Sequence, residues 1–539
     1  MMHVLRNARI WALGLIVTAL AAAPAAQQQA APTPTPAQGP LLADTYVVGQ
    51  ARPPVEPGAT VVDLSLEQAM GIALEKNLAL QSARLNPQNV DYQLQAARAA
   101  YMPQNTSSYQ YRNSTSPSNN TLEGVTAVTN TTQSFNAQAS QTLPWFGSTA
   151  SVNFSNGRTA TNNVTVRLNP SYSSQLSFSY SQPLLRGLLI DGNRNTLRTL
   201  AIQRQIADTQ LLTQIENTKA SVRNAYWQLR QAIEQIEIAR RALDISQRQY
   251  QDSLIRVEIG TAAPIDTAQF EVGVASSEQS LLNAQINWRN ADLTLKRLLV
   301  SGADDELYRS TINPTEQPAL SVTSVDIAAG IQQALAGRND IIQSRRQLEI
   351  SELNLEVTKD QTRPNLSLSA GFNSSGQGGS QIQNGVVVNP GGYGDALRAL
   401  GSFDTSGWNM GLNLQLPFGQ AKHTAEINYA RALLSMEQTR TTLKEQELTI
   451  TAQVTNAGLA VENTYKQLQQ AQKSREAQEK TANAAQTRNQ VGLATNFEVV
   501  QQLNSLTSAR LTELSRLISY LNAVAEYDRV VRVGTGGGN

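Results

Sequence analysis

Two periodicities alternate along the chain. Long stretches rich in Ala, Leu, Gln, Glu and Arg carry apolar residues every third or fourth position, and shorter stretches between them alternate apolar and polar residues one by one. The first pattern is that of an amphipathic helix, the second that of a strand with unlike faces. Proline marks the borders, because within a helix it costs about 3 kcal/mol. Residues 184–263, 265–313, 319–363 and 418–539 contain none. Helices are predicted over 64–101, 191–258, 263–300, 323–361, 420–490 and 495–531, with a kink or break in the first at Pro87. Leu514, Leu517, Leu521 and Val524 step as in a coiled-coil seam. A helix of about 70 residues reaches roughly 100 Å. The shorter helices, stacked end to end in pairs, would match the two long ones and give four parallel rods.

The strand pattern is clearest where Trp408, Met410, Leu412, Leu414 and Leu416 alternate with Asn409, Gly411, Asn413 and Gln415. Leu366, Leu368, Ala370 and Phe372 alternate with Ser367, Ser369 and Gly371, and Leu176, Phe178 and Tyr180 with Ser177, Ser179 and Ser181. A weaker fourth strand runs over 105–112, with Tyr109 and Tyr111 on one face. Pro103, Pro183, Pro364 and Pro417 sit at the helix–strand borders, where a missing N–H costs least. One apolar and one small polar face fits a β-barrel wall with lipid outside and water inside. It also fits a soluble sheet packed on a helix. Strands of about ten residues, with long polar connections at 113–130 and 373–405, favour the barrel. Four strands cannot close, since the smallest membrane barrels have about eight, so closure calls for several chains.

The N-terminus favours the same compartment. Arg6 and Arg9 precede the apolar stretch from Ile10 to Ala23, and Ala-Pro-Ala within residues 21–26 offers a cleavage site, so 1–26 reads as a secretory signal peptide. Residues 27–60 form a Pro-, Gln- and Ala-rich leader, either extended on the surface of something larger or a disordered tail.

The chain is duplicated. A shift of 261 places Ala73 on Ala334, Arg84 on Arg345 and Pro103 on Pro364, and after the strands a shift of 232 places Val222 on Val454, Gly260 on Gly492 and Leu282 on Leu514. The first repeat is 61–300 and the second 323–531, joined by 301–322 and followed by the Gly-rich tail 532–539. The first copy has 29 extra residues, nearly the length of an alternating hairpin over 131–158 around Leu-Pro-Trp-Phe-Gly. The pattern leaves open whether this hairpin joins the wall, and whether Trp145 and Phe146 meet lipid or a buried turn.

Residues 64–77 (LSLEQAMGIALEKN), 334–341 (ALAGRNDI), 182–187 (QPLLRG) and 491–500 (VGLATNFEVV) resemble TolC-type outer membrane efflux proteins, over about 61–533. The resemblance implies an α+β membrane protein: a homotrimer whose strands form a twelve-strand barrel in the outer membrane, continued by a long periplasmic helical barrel. It implies an exit duct of a tripartite efflux or type I secretion system, with a periplasmic adaptor (membrane fusion) protein, an inner-membrane transporter and outer membrane lipid as partners. Leu176, Phe178, Tyr180, Leu366, Leu368, Phe372, Trp408, Met410, Leu412 and Leu414 would face that lipid.

The turns at 260–266 and 492–498 each close a long helix and open a shorter one. Gly is the usual helix stop and Pro264 suits a first helical turn, so plain helix hairpins account for them. By resemblance they form the periplasmic tip, with Gly260, Thr261, Ala262, Gly492, Leu493 and Ala494 at the adaptor docking surface. Asp266 and Glu498 would stand nearest the constriction, where threefold symmetry makes each a ring of carboxylates that attracts cations. Alternatively they are acids favoured by a helix N-terminus, at about 0.3–1 kcal/mol. The family often carries a gate Arg at the position of Ala494 and a second acid at that of Gln501, so an Arg-locked gate is not expected here.

Composition narrows the chemistry. The 539 residues include no Cys and two His, of which only His423 lies beyond the signal peptide. That excludes a disulfide framework, a Cys nucleophile and a His or Cys metal cluster. Without residues 1–26 the charge is 41 Lys and Arg against 42 Asp and Glu, which gives no basic excess for nucleic acid. There is no phosphate-binding Gly-rich loop and no expected cofactor or catalytic residue. A secreted structural filament or coiled-coil scaffold is the alternative, and the duplicated strand pairs speak against it.

Overall fold

The computed structural model describes residues 51–54, 60–118, 123–260, 263–316, 325–383, 386–491 and 493–532. The segment read as a signal peptide, most of the leader and nearly all of the tail lie outside them. In chain order the elements are β1 (Val61–Leu64), α1 (Leu66–Lys76), α2 (Leu78–Arg98), β2 (Gln104–Pro117), β3 (Ala127–Thr142), β4 (Thr149–Thr161), β5 (Leu168–Pro183), α3 (Gly192–Glu258), α4 (Pro264–Leu299), α5 (Glu306–Arg309), β6 (Thr311–Pro314), α6 (Ile327–Gly337), α7 (Asn339–Gln361), β7 (Asn365–Gln383), β8 (Val386–Asn389), α8 (Tyr393–Ser402), β9 (Ser406–Gln415), α9 (Gln420–Gln490) and α10 (Asn496–Val531).

The long helices α3 and α9, of 67 and 71 residues, each span about 100 Å. Helices α2 and α4 pack along α3, and α7 and α10 along α9. Where α4 ends and α2 begins, Asn77 Nδ2 donates to the Leu298 carbonyl at 3.0 Å, tying the two short helices. The seam of α10 is split between two partners: Leu514 and Ile518 join the core around the middle of α3, whereas Leu517, Tyr520 and Val524 join Val461 and Leu468 of α9.

The first helix does not break at Pro87. It breaks earlier, at Asn77, whose backbone is extended (φ −62°, ψ 120°) and whose Oδ1 accepts from the Leu80 N–H at 3.0 Å, capping α2. Pro87 lies buried inside α2 on the face of Leu80 and Val90, and packing against α3 offsets the hydrogen bond its ring removes. The helix expected over 323–361 is likewise two, separated at Arg338 (φ −67°, ψ 141°). Asn77 and Arg338 are equivalent under the 261-residue shift. The break therefore belongs to the repeat, though only Asn77 caps the next helix with its side chain.

Halfway along α3 the chain is cinched by a parallel two-stranded sheet, β1 with β6. The Tyr226 hydroxyl donates to the Leu64 carbonyl and accepts from the Glu316 N–H, both at 3.0 Å. Its equivalent under the 232-residue shift is Gly458. There Ile327 and Val325 fill the space: a Cβ on Gly458 would stand 2.6 Å from Ile327 Cγ1 and 3.5 Å from Val325 Cγ1. Gly458→Leu is expected to overpack this junction and cost about 1–3 kcal/mol, read as a lower temperature of dissociation on semi-native gels. Ile327→Ala in the same chain should recover part of the loss. Unchanged heat stability of the single variant would contradict this packing.

The strands form one antiparallel sheet ordered β2-β3-β4-β5-β7-β9, with β8 paired to the far end of β7. The hairpin β3–β4 is thus part of the sheet, inserted between β2 and β5, and six strands lie side by side instead of the four read from the sequence. The strands are also longer than expected. β2 runs to Pro117 and β7 to Gln383, and the supposed connection 373–405 holds the end of β7, β8 and α8. Beyond the apolar band the residues are mostly Ser, Thr, Gly, Asn and Gln, on both faces. The two-residue signal vanishes there although the backbone ladder continues. α8 packs on β7 where Gly376 and Gly378 leave no side chain in its way, and the Ser374 Oγ donates to the Leu400 carbonyl at 3.0 Å.

Candidate functional site

Register places the residues of the sheet in rows. Ala139, Val152, Phe178, Phe372 and Trp408 stand side by side across β3, β4, β5, β7 and β9. The next row down pairs Ala150, Tyr180, Ala370 and Met410, and below it Leu368 faces Leu412 and Leu366 faces Leu414. With Leu176 opposite Phe154, all ten residues expected to meet lipid share one face. The side chains of β9 lie open in the single chain, Trp408 at 80%. The opposite face carries Gln138, Asn153, Ser177 and Asn373 in one row and Ser140, Ser151, Ser179, Gly371 and Asn409 in another. The Ser151 and Ser179 hydroxyls are bonded at 2.7 Å.

The β3–β4 turn sits at the helix-proximal end of the sheet. Phe146 takes a left-handed conformation (φ 54°) and its carbonyl accepts from Gln182 Nε2 at 3.1 Å. A Cβ on Gly147 (φ 67°) would lie 2.9 Å from the Gly187 carbonyl and 3.1 Å from an Asp191 carboxylate oxygen, so glycine is required for the turn to seat on the β5–α3 junction. Trp145 and Phe146 are both exposed in the single chain, so the turn does not bury them within it.

At the far end of the helices, α3 stops where Gly260 enters the left-handed region (φ 74°) and donates its N–H to the Val257 carbonyl at 3.0 Å. Thr261, Ala262 and Gly492 lie outside the described residues, as does the side chain of Asp266, whose backbone is in the first turn of α4. In the second turn the Leu493 N–H donates to the Arg488 carbonyl at 2.8 Å, Ala494 is half-buried, and the Thr495 hydroxyl caps α10 by accepting from the Glu498 N–H. Glu498 is not a bare carboxylate: its Oε1 stands 3.6 Å from Arg488 Nη1. Being exposed, such a pair is worth no more than about 1 kcal/mol. It links the end of α9 to the start of α10.

Arg488 was not anticipated, nor were Ile259, Ile265, Val491 and Phe497, which with Leu493 leave large apolar side chains exposed around the two turns. The signal was present as apolar residues on either side of each glycine stop, Ile259 and Ile265 around Gly260 and Val491, Leu493 and Phe497 around Gly492. Among the described residues there is no group of side chains fit to hold a metal ion and no helix long and apolar enough to cross a membrane.

Comparison with known proteins agrees with this geometry. The family model of the outer membrane efflux proteins matches residues 130–300 and 330–529. The chain is 24% identical over 355 residues to the pyoverdine export outer membrane protein OpmQ of Pseudomonas aeruginosa, covering 66% of this chain and 68% of that one. It is also 24% identical over 261 residues to toxin and drug export protein A of Aggregatibacter actinomycetemcomitans, covering 45% of this chain and 53% of that protein. The crystal structure of the Campylobacter jejuni CmeC outer membrane channel superimposes with a TM-score of 0.62 at 16% identity, over 86% of this chain and 85% of that one, which establishes the shared fold. With the family model matching most of both repeats, this chain belongs to the outer membrane efflux protein family and resides in the bacterial outer membrane, its long helices in the periplasm.

Proposed function

We propose that three copies of this chain form the exit duct of an efflux system. Substrate would enter at the helix-turn tip from a periplasmic adaptor protein and an inner-membrane transporter, and leave through the barrel with no chemical step. The observation that carries this reading is the sheet with one apolar and one Ser/Asn/Gln face, set at one end of helices about 100 Å long. Apolar side chains exposed around the turns suit a docking surface for a protein partner. On threefold symmetry the tip would carry a ring of Arg488–Glu498 pairs, which holds less negative charge than the ring of bare carboxylates expected from the sequence.

The two named relatives are named for the export of pyoverdine and of toxin and drugs, and efflux of small molecules is the corresponding reading here, with the choice of cargo left to the transporter. The test is to add the purified protein to planar bilayers. Discrete conductance steps are expected, and failure to insert would sink the duct reading. The filament alternative would leave the protein outside the outer membrane fraction and without heat-modifiable trimers.

A further inference from the structure

From the six strands that lie side by side at the level of the apolar band we infer that the outer-membrane barrel of this protein has eighteen strands, six from each chain, in place of the twelve that the family resemblance implies. This rests on the trimeric duct proposed above. The hairpin β3–β4 is built into the wall by three independent features. Its ladders are continuous, with paired residues from Gln104–Ser140 to Pro117–Ala127 on the β2 side and from Thr149–Ser181 to Thr159–Ser171 on the β5 side. Its faces are in phase with its neighbours: Ala137, Ala139, Val152 and Phe154 continue the apolar face, and Asn136, Gln138, Asn153 and Ser155 the polar one. Its turn is seated on the β5–α3 junction through Gly147 and the Phe146 carbonyl. A flap hanging off the wall would need none of these.

The sheet ends in two open edges, β2, paired only to β3, and at the level of the apolar band β9, paired only to β7. Their free N–H and C=O groups cannot stand unpaired in lipid, where each costs several kcal/mol. β2 and β9 are not paired with each other within the chain, so the partner that satisfies both edges is a second copy, β2 of one chain against β9 of the next. Three copies then close eighteen strands. At about 4.8 Å between strands and about 40° of tilt, eighteen strands enclose a barrel roughly 36 Å across its backbone, against roughly 24 Å for twelve. The outer-membrane exit is thus about 1.5 times wider and roughly 2.2 times larger in cross-section. The widening comes from the first repeat alone. The second repeat has its extra residues in β8, which pairs only with the last residues of β7, and in α8, which packs on β7.

The absence of Cys makes the full-length chain a ready background for single-Cys labelling in outer membranes. Ala137→Cys, Ala139→Cys, Val152→Cys and Phe154→Cys are compared with Asn136→Cys, Gln138→Cys, Asn153→Cys and Ser155→Cys, using a water-soluble maleimide. Leu176→Cys, Ser177→Cys, Phe372→Cys and Asn373→Cys serve as controls on β5 and β7. Several-fold stronger labelling of every polar-face position, alternating along β3 and β4 as it does along the controls, is the expected result. Alternation in the controls without alternation in β3 and β4 would overturn the eighteen-strand wall while leaving the duct intact. Loss of alternation in the controls as well would overturn both. Double variants with one Cys in β2 and one in β9 are expected to cross-link into a ladder ending at three chains, and a ladder ending elsewhere would refute the count of eighteen.

Discussion

Replacing Glu234 with alanine is expected to lower stability by about 3–5 kcal/mol, the usual cost of leaving one partner of a buried ion pair alone. Glu234 is fully buried near the middle of α3, and its Oε1 lies 2.9 Å from Nη2 of Arg230, which is almost as deeply enclosed. Burial lowers the pKa of the Arg230 guanidinium from its ordinary value, the direction expected when a charge is withdrawn from water. The pair also gathers chain from three places. Arg230 Nη1 donates to the carbonyls of Ala51 at 3.3 Å and Pro314 at 3.0 Å, and the Ala51 N–H donates to Glu234 Oε1 at 3.4 Å. The end of the leader and the end of β6 are thereby fastened to α3.

The equivalent residues of the second repeat, Glu462 and Lys466, are exposed, so the clamp exists only where the leader attaches. Heat dissociation of the assembly on semi-native gels reads the effect. Arg230→Met together with Glu234→Leu should recover much of the loss, because replacing both charges by apolar groups is often neutral. A Glu234→Ala protein as heat-stable as the parent would show that the charge is not stranded.

Excising the turn at 260–266 or at 492–498, with the helices rejoined by a short Gly-Ser link, is expected to reduce export to that of cells lacking the channel, while heat-modifiable trimers persist in the outer membrane. The turns lie at the opposite end of the helices from the sheet, and the helices are held along their length by their own cores, near Tyr226 in the first repeat and around Ile450 and Val454 in the second. Insertion and trimer formation are therefore expected to persist without the tip. What the excision removes is exposed apolar side chains of the turns, Ile265 in one, Leu493 and Phe497 in the other. Export at the parental level would contradict docking at this surface. Arg488→Ala should have a much smaller effect, since an exposed ion pair contributes about 1 kcal/mol or less.

Much of this was legible one residue at a time. The helices expected at 191–258 and 420–490 are found as Gly192–Glu258 and Gln420–Gln490, because Pro183 and Pro417 precede their starts, Gly260 and Gly492 follow their ends, and no proline lies inside. The alternation in β5, β7 and β9 was readable wherever lipid would face water across the sheet. It failed above that level, where polar residues on both faces carry no period although the strands continue. The break at Asn77 was hidden because its extended backbone is held by a tertiary contact to Leu298 and a local cap, while the conspicuous Pro87 was absorbed by burial. At the tip the positions of the turns were readable from glycine and proline. The Arg488–Glu498 pair was not, since those residues are ten apart in sequence and meet only when the helices fold back.

By itself the sequence determined the duplication, the lengths of the rods, the face of the sheet that is apolar and the positions of the helix stops. These depend on local spacing, on proline and glycine, and on the repetition of one unit. The tertiary structure alone decided that the β3–β4 hairpin belongs to the sheet, that the leader is clamped by a buried ion pair, and that Tyr226 and Gly458 solve the same junction in opposite ways. Each of these is a pairing between segments distant in the chain. Strand order, burial and complementary volume belong to such pairings, so no stretch of sequence read alone contains them.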